Sequence, residues 1–338
     1  MPESAGVVTV AETNRLALRY GEAVNAALVR VLAEVPETLV YGEDVAKPGG
    51  VFGVTRGLRR RFGERVFDTP ISESAILGSA VGAALMGRRP IVEIMWVDFS
   101  LVALDQLVNQ AANARYISRG TASAPIVVRT QQGNAPGACA QHSQCLEALF
   151  LHIPGLRVAM PRTAQDAYDV LVSAVHSDDP VIVIENRTLY AGERSEVAVG
   201  GAPKPVGWSH LRHRGDDVTI VSWGVATGQC MEAAAQLAEG HGIHVDVLEL
   251  TWLNPIDLDA VLASVRRTGR LVVVHEANRT GGFGAEVVTR VVEAGLPLAA
   301  PPLRLAAPDV RMPAAPGLAA PLLPTAQGVI DRITSLLA

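Results

Sequence analysis

Arg65-Val66-Phe67-Asp68-Thr69-Pro70-Ile71-Ser72-Glu73, followed by Ser74 to Met86, reads as a strand turning directly into a helix. Arg65 to Asp68 is a short β-favouring run, and Thr69-Pro70-Ile71-Ser72 carries turn chemistry. Ser72 is an N-cap residue type, so a helix is predicted from Glu73 to about Met86. Gly78, Ser79, Gly82, Ala83 and Ala84 keep that helix narrow, so its backbone can approach a neighbour closely. Strands that feed helices in this way build parallel α/β sheets.

The same alternation extends in both directions. Thr38 to Tyr41 reads as a strand ending in the acidic turn Gly42-Glu43-Asp44, and Pro90 to Met95 as another. A helix is expected over Val102 to Ser118, a strand over Ile126 to Thr130, and a Gly-containing loop over Gln131 to Gln141. A helix start near His142 to Gln144 follows, then a strand at Leu156 to Met160, a helix at Ala164 to His176 and a strand at Val181 to Ile184. Ala191 to His210 holds four Gly and two Pro with little periodicity and reads as a linker. Beyond it come strands at Val218 to Ser222, His244 to Leu248 and Leu271 to Val274. Helices are expected at Gln229 to Glu239, Asp257 to Val265 and Ala285 to Glu293. Leu298 to Pro324 contains seven prolines and is expected as an extended packing segment before a last helix, Thr325 to Leu337. The expected organisation is therefore one α/β domain over residues 1–190, a linker over 191–210 and a second α/β domain over 211–338.

Composition narrows the function classes. The 338 residues suit two domains at about 150 residues each. Lys and Arg total 29 against 34 Asp and Glu, a formal charge of −5, which argues against general nucleic-acid binding. A 49% hydrophobic content supports sizeable cores. No apolar stretch approaches the length of a membrane span, and Met1 to Val10 has no basic region before an apolar run. Three cysteines, Cys139, Cys145 and Cys230, fit a reducing cytoplasm.

Sequence motifs alone carry little chemistry. Gly282-Phe283-Gly284 begins like a dinucleotide fingerprint, but Val287 stands where the third Gly belongs, so a structural turn is expected. Cys139, His142 and Cys145 offer three local metal-ligand types without a fourth, and are read as packing residues. In parallel sheets ligands sit at the carboxyl ends of strands. That rule singles out Glu43, Ile71 to Glu73, Met95 to Phe99 and the loop ending at His142. Taken alone, Glu73 reads as a carboxylate complementing a helix dipole and His142 as a satisfied structural histidine.

Taken in order, the motifs resemble a known family. They are Gly42-Glu43-Asp44-Val45, Gly49-Gly50-Val51-Phe52, Asp68-Thr69-Pro70-Ile71-Ser72-Glu73, Asp98-Phe99, Ala140-Gln141-His142-Ser143-Gln144 and Ile153-Pro154-Gly155-Leu156, with Lys204-Pro205, Asp217 to Val221, Thr268 to Val274 and Leu323-Pro324-Thr325 further on. This series resembles the beta subunits of thiamine-diphosphate-dependent 2-oxo acid dehydrogenase E1 components. Gly42 to Thr55 is most similar to the acetoin dehydrogenase type. The resemblance implies a transketolase-like fold, a pyrimidine-binding domain followed by a transketolase C-terminal domain. It also implies an alpha2beta2 heterotetramer with an E1 alpha subunit, and a lipoyl E2 as a further partner. No Gly-Asp-Gly motif occurs in the chain, so Mg2+ and the diphosphate are expected on the alpha subunit.

The implied chemistry assigns roles. A carboxyl group against N1′ of the aminopyrimidine promotes the imino form that removes the thiazolium C2 proton, and by resemblance Glu73 takes that place. Ile71, Met95 and Phe99 match positions that line the pyrimidine, and Glu43 an acidic residue near the cofactor. His142 matches a histidine on the substrate side, able to stabilise an oxyanion or assist transfer to lipoyl-lysine. The resemblance also implies a K+ site at Ile126, Ala174, Val175, Ser177 and Asp179, with Ser177 replacing a frequent acidic residue. Met95-Trp96 stands where pyruvate-type members often carry Met-Thr, and Asn134-Ala135-Pro136-Gly137 departs from the common Gly-rich loop. The implied activity is decarboxylation of a 2-oxo acid, or cleavage of acetoin, with acyl transfer to lipoamide. A two-component ligase working without an E2 and a non-catalytic assembly subunit are the alternatives.

Overall fold

The computed structural model describes residues 14–135 and 137–338. Met1 to Val10, expected to carry no targeting signal, and Pro136 lie outside the described residues. Short apolar runs form the strands β1 (Asn14–Leu18), β2 (Thr38–Gly42), β3 (Val66–Asp68), β4 (Arg89–Ile94), β5 (Val127–Gln132), β6 (Arg157–Ala159), β7 (Val181–Asn186) and β8 (Ser195–Val199). The second half adds β9 (Ser209–His213), β10 (Val218–Ser222), β11 (Val245–Leu250), β12 (Trp252–Asn254), β13 (Leu271–Asn278) and β14 (Leu303–Ala307).

A seven-stranded sheet has the order β12-β6-β7-β5-β4-β2-β3, and a five-stranded sheet the order β14-β13-β10-β11-β9. Both are parallel except at one edge, where β12 and β9 pair antiparallel. The central strands are buried along their whole length, as in Val181 to Asn186 and Val218 to Ser222. Burial on both faces explains their near-continuous apolar runs. One face of the large sheet is covered by helices Tyr20–Glu34 and Ala164–His176. The other face packs on helix Glu73–Leu85 and merges with the core of the second domain through Trp223, Leu248 and Val261.

Several expectations are corrected. The stretch 191–210 contains β8, which pairs antiparallel with β1, and the start of β9. The proline-rich segment contains β14, parallel to β13, because its prolines flank the hydrogen-bonded residues instead of interrupting them. The helix expected over Val102 to Ser118 breaks into a 3-10 stretch (Val97–Ala103), a π-helical turn (Gln106–Ala111) and a short α-turn (Ala114–Ile117). Asn109 Nδ2 donates to Asp105 Oδ1 at 2.7 Å and Asn113 Nδ2 to the Asn109 carbonyl at 3.3 Å, polar contacts that compete with a regular helix.

The helix predicted at His142 also starts later, at Glu147. Cys139–Gln141 is a 3-10 turn that His142 ends. The next backbone donors are taken by side chains: Asp98 Oδ1 accepts from the N–H of Gln144 and Gln132 Oε1 from that of Leu146.

Candidate functional site

The large sheet places the candidate site residues past the carboxyl ends of neighbouring strands. β2 is followed directly by Glu43, β3 by the turn that leads to Glu73, β4 by Met95 and Trp96, β5 by the loop bearing His142, and β7 by Arg187. Gly42 makes the first exit feasible. Its φ is +155°, and a Cβ there would lie 2.6 Å from the Glu93 carbonyl oxygen. Gly133 has φ +100°, and a Cβ would sit 2.4 Å from Asn186 Nδ2, so the loop after β5 passes tightly over the end of β7.

Glu73 is the first residue of its helix, and Ser72 precedes it without a side-chain cap. The helix start is tied down by Ser74 Oγ, which donates to the Val102 carbonyl at 2.7 Å. Burial, then the charges of Asp44 and Glu73, raise the Glu43 carboxyl above its ordinary value, so the two glutamates share one field. Ile71 is 72% exposed beside them, an apolar side chain open for a ligand or partner to cover. Thr69 Oγ1 in the same turn is buried without a hydrogen-bond partner.

The second half of the site is aromatic. The His142 ring lies edge-on to Trp96 (5.1 Å between centroids) and to Phe99 (5.5 Å). Phe52 meets Trp96 edge-on at 5.7 Å and Tyr190 at 5.4 Å. Trp96 has φ +70°, a costly conformation for a bulky residue, held where its N–H donates to Gln131 Oε1 at 3.3 Å. The Arg187 guanidinium stacks 4.2 Å from the Trp96 ring centroid.

The predicted site residues thus form two groups, Glu43 with Glu73 and Ile71, and Phe99 with His142. Met95 sits half-buried at the end of β4, next to Trp96. Carboxylates flanked by apolar and aromatic faces can hold a flat heteroaromatic base through a ring nitrogen. Sequence reasoning missed Arg187, and it placed Phe52 and Asp98 in motifs without giving them roles. Trp96 stood out only as a departure.

Beneath this site lies a buried ion cluster. Arg129 donates to both oxygens of Glu185 (2.8 and 2.7 Å) and to Glu93 (2.6 Å). Tyr190 donates its hydroxyl to Glu185, joining the cluster to the aromatic wall. Burial raises the Glu93 carboxyl, with Arg129 opposing.

The residues named for K+ already hold protein donors. Arg89 Nη1 donates to the carbonyls of Val175 (2.8 Å) and Ser177 (3.0 Å), and Nη2 pairs with Asp178 at 2.5 Å. The Ala174 carbonyl accepts from Ser177, that of Ile126 from Val181, and that of Asp179 from Ser177 Oγ. Arg115 and Arg157 bind the Asp179 carboxylate and hold it below its ordinary value against the cost of burial. This turn does not fit the ion as a ligand cage. Among the described residues no group of three or more His, Cys, Asp or Glu side chains is placed to hold a metal ion. No helix among them is long and apolar enough to cross a membrane.

Residues 17–193 match the transketolase pyrimidine-binding domain and residues 207–329 the transketolase C-terminal domain. The chain is 40% identical over 328 residues to the Rhizobium meliloti pyruvate dehydrogenase E1 component subunit beta, covering 96% of this chain and 71% of that protein. It is 41% identical over 297 residues to the beta subunit of a Cupriavidus necator acetoin:2,6-dichlorophenolindophenol oxidoreductase, covering 83% and 87%. A split-gene transketolase solved as an inactive beta4 tetramer superposes with a TM-score of 0.76 at 24% identity, over 95% of this chain and 98% of that one, which shows the fold. With these relatives and these two domains in order, the chain belongs to the transketolase-type family of E1 beta subunits of the 2-oxo acid and acetoin dehydrogenases.

Proposed function

We propose that this chain supplies the pyrimidine half of a thiamine-diphosphate site shared with an E1 alpha subunit in an alpha2beta2 assembly. The reaction proposed is decarboxylation of a 2-oxo acid, or cleavage of acetoin, with acyl transfer to the lipoamide of an E2. The observation that carries this reading is the placement of Glu73. It opens its helix with the Glu43 carboxyl in the same field and the exposed Ile71 beside it. The unpartnered Thr69 Oγ1 and the apolar faces of Ile71 and Phe99 suit an aminopyrimidine. Among the described residues no group of three or more His, Cys, Asp or Glu side chains is placed to hold a metal ion, and we assign Mg2+ to the alpha subunit.

Thiamine diphosphate supplies an acidic ring carbon and an electron sink. This chain's part is positional and acid–base. The Glu73 carboxyl would face the ring nitrogen, donating a hydrogen bond to it and passing a proton between them. Ile71, Met95 and Phe99 hold the ring plane and exclude water. Glu43 brings a second carboxyl, itself raised by burial, into the field of Glu73. His142 is held by Trp96 and Phe99 at the substrate side, where its ring N–H can meet a developing oxyanion. In the reconstituted alpha–beta enzyme, Glu73→Gln should lower turnover by about two orders of magnitude or more while assembly persists. Unchanged turnover would refute the role. Calorimetry on the isolated chain should show only weak thiamine diphosphate binding, and micromolar affinity would contradict a shared site.

A further inference from the structure

Arg187 is a charged side chain stacked on the aromatic wall that the chemistry above does not use. It leaves the end of β7 in a 3-10 turn (Arg187–Leu189) pinned by Asn186, whose Oδ1 accepts from Thr188 N at 3.0 Å and Thr188 Oγ1 at 2.7 Å. Its guanidinium lies 4.2 Å from the Trp96 centroid and 5.7 Å from that of Phe52. The nearby acids are committed elsewhere, Glu185 to Arg129 through both oxygens and Glu276 to Asn186 at 3.0 Å. Burial alone lowers the Arg187 pKa, with no neighbouring carboxylate acting against it. A guanidinium stacked face-on keeps its edge donors open, and the stacking fixes their direction. A cation with no ion pair among the described residues suits an anion that arrives with the ligand.

Trp96 links this cation to the reaction side. The indole that carries Arg187 also meets His142 edge-on, at 5.1 Å between centroids, so one ring contacts both polar groups. The positive φ of Trp96 turns that ring into place.

We infer that Arg187 is the specificity-determining anchor for the carboxylate of the substrate, so that the site selects 2-oxo acids over neutral acyloins. This rests on the thiamine reading above and adds the substrate class to it. The carboxylate binds the guanidinium edge through two N–H donors while the keto oxygen points towards His142. The interaction forms on binding and involves no proton transfer.

The test uses the reconstituted alpha–beta enzyme with pyruvate, a branched 2-oxo acid and acetoin, comparing wild type with Arg187→Gln and Arg187→Lys. Arg187→Gln should raise KM for the 2-oxo acids about tenfold or more with kcat much less affected, as expected for a lost charged hydrogen bond. Arg187→Lys should recover part of the loss, and any acetoin turnover should fall by a much smaller factor than turnover of the 2-oxo acids. Equal losses on acetoin, a wild type that accepts only acetoin, or a raised KM for thiamine diphosphate instead of substrate would overturn the assignment. Calorimetric titration of the same proteins with the 2-oxo acid separates the two readings. Binding weakened by Arg187→Gln supports the anchor even if no thiamine-dependent turnover is found, in which case the proposed function fails alone. Identical isotherms overturn the anchor whatever the turnover.

Discussion

Gln144 donates its backbone N–H (3.3 Å) and its side-chain Nε2 (3.0 Å) to one oxygen of Asp98. Asp98 lies in the turn that carries Trp96 and Phe99, and Gln144 follows His142 by two residues. The second domain joins in, since Arg311 Nη1 donates to Gln144 Oε1 at 2.8 Å. One carboxylate therefore couples the aromatic wall to the histidine loop.

Asp98→Ala should release that loop without removing any group assigned to substrate or cofactor. Misplacement by about an ångström can cost up to a hundredfold in rate, so turnover should fall between about tenfold and a hundredfold. Limited proteolysis should cut the loop before His142 faster than in wild type. Asp98→Asn keeps an acceptor oxygen and should recover much of both effects, and a silent Asp98→Ala would sever the coupling.

Arg129 should be far more sensitive than a surface arginine. It is 1% exposed between Glu93 and Glu185, and its removal strands two buried carboxylates. Arg129→Ala should destabilise the fold by about 3–5 kcal/mol, read as a lowered midpoint in denaturant. Surface Arg15, paired with the exposed Glu196, should change stability by less than about 1 kcal/mol.

The Glu276 contribution to stability should fall as pH rises towards neutrality. Glu276 is pushed up to about 7 by burial, then by the charge of Glu147, with the Asn186 hydrogen bond opposing. A carboxyl raised in the folded state stabilises most below its unfolded value of 4.5, and that contribution is lost as pH passes through about 7. The ceiling is about 3 kcal/mol, reduced because Glu276 borders an open cleft of about 70 Å³ next to Gln144 and Arg311. Relative to Glu276→Gln, the wild type should lose Tm between about pH 4.5 and 7. His275 acts oppositely over a largely overlapping window and offsets much of the Glu276 slope below about pH 6.5. Burial pushes it to about 4, so its contribution is lost as pH falls from 6.5 towards that value.

Arg89 should make the turn after helix Ala164–His176 insensitive to the choice of monovalent cation. Its guanidinium already occupies the Val175 and Ser177 carbonyls. Exchanging Na+ for K+ should leave Tm unchanged, whereas Arg89→Ala should cost about 1–3 kcal/mol of stability. A saturable stabilisation specific to K+ would contradict this.

Much of the fold was legible because its signals are local. The helix over Ala164 to His176 and the strand over Val218 to Ser222 have the bounds that apolar periodicity and caps predict, with Thr163 capping the helix start. Where the reading missed, side chains held backbone donors that periodicity takes for helix, as Asp98 and Gln132 do after His142. Glu43, Ile71, Glu73, Met95, Phe99 and His142 stood out through the strand-end rule and the family motifs, and their roles remain for the experiments above.

The order of residues along the chain determined the alternation of strands and helices, the two-sheet α/β class and which side chains leave the strand ends, because each depends on spacings of a few residues. Only the tertiary structure decided which strand ends are neighbours. With β5 placed between β4 and β7, Arg187 reaches Trp96 across 91 positions of sequence and Arg129 reaches both Glu93 and Glu185. Such contacts follow from sheet order and packing, which no local periodicity encodes.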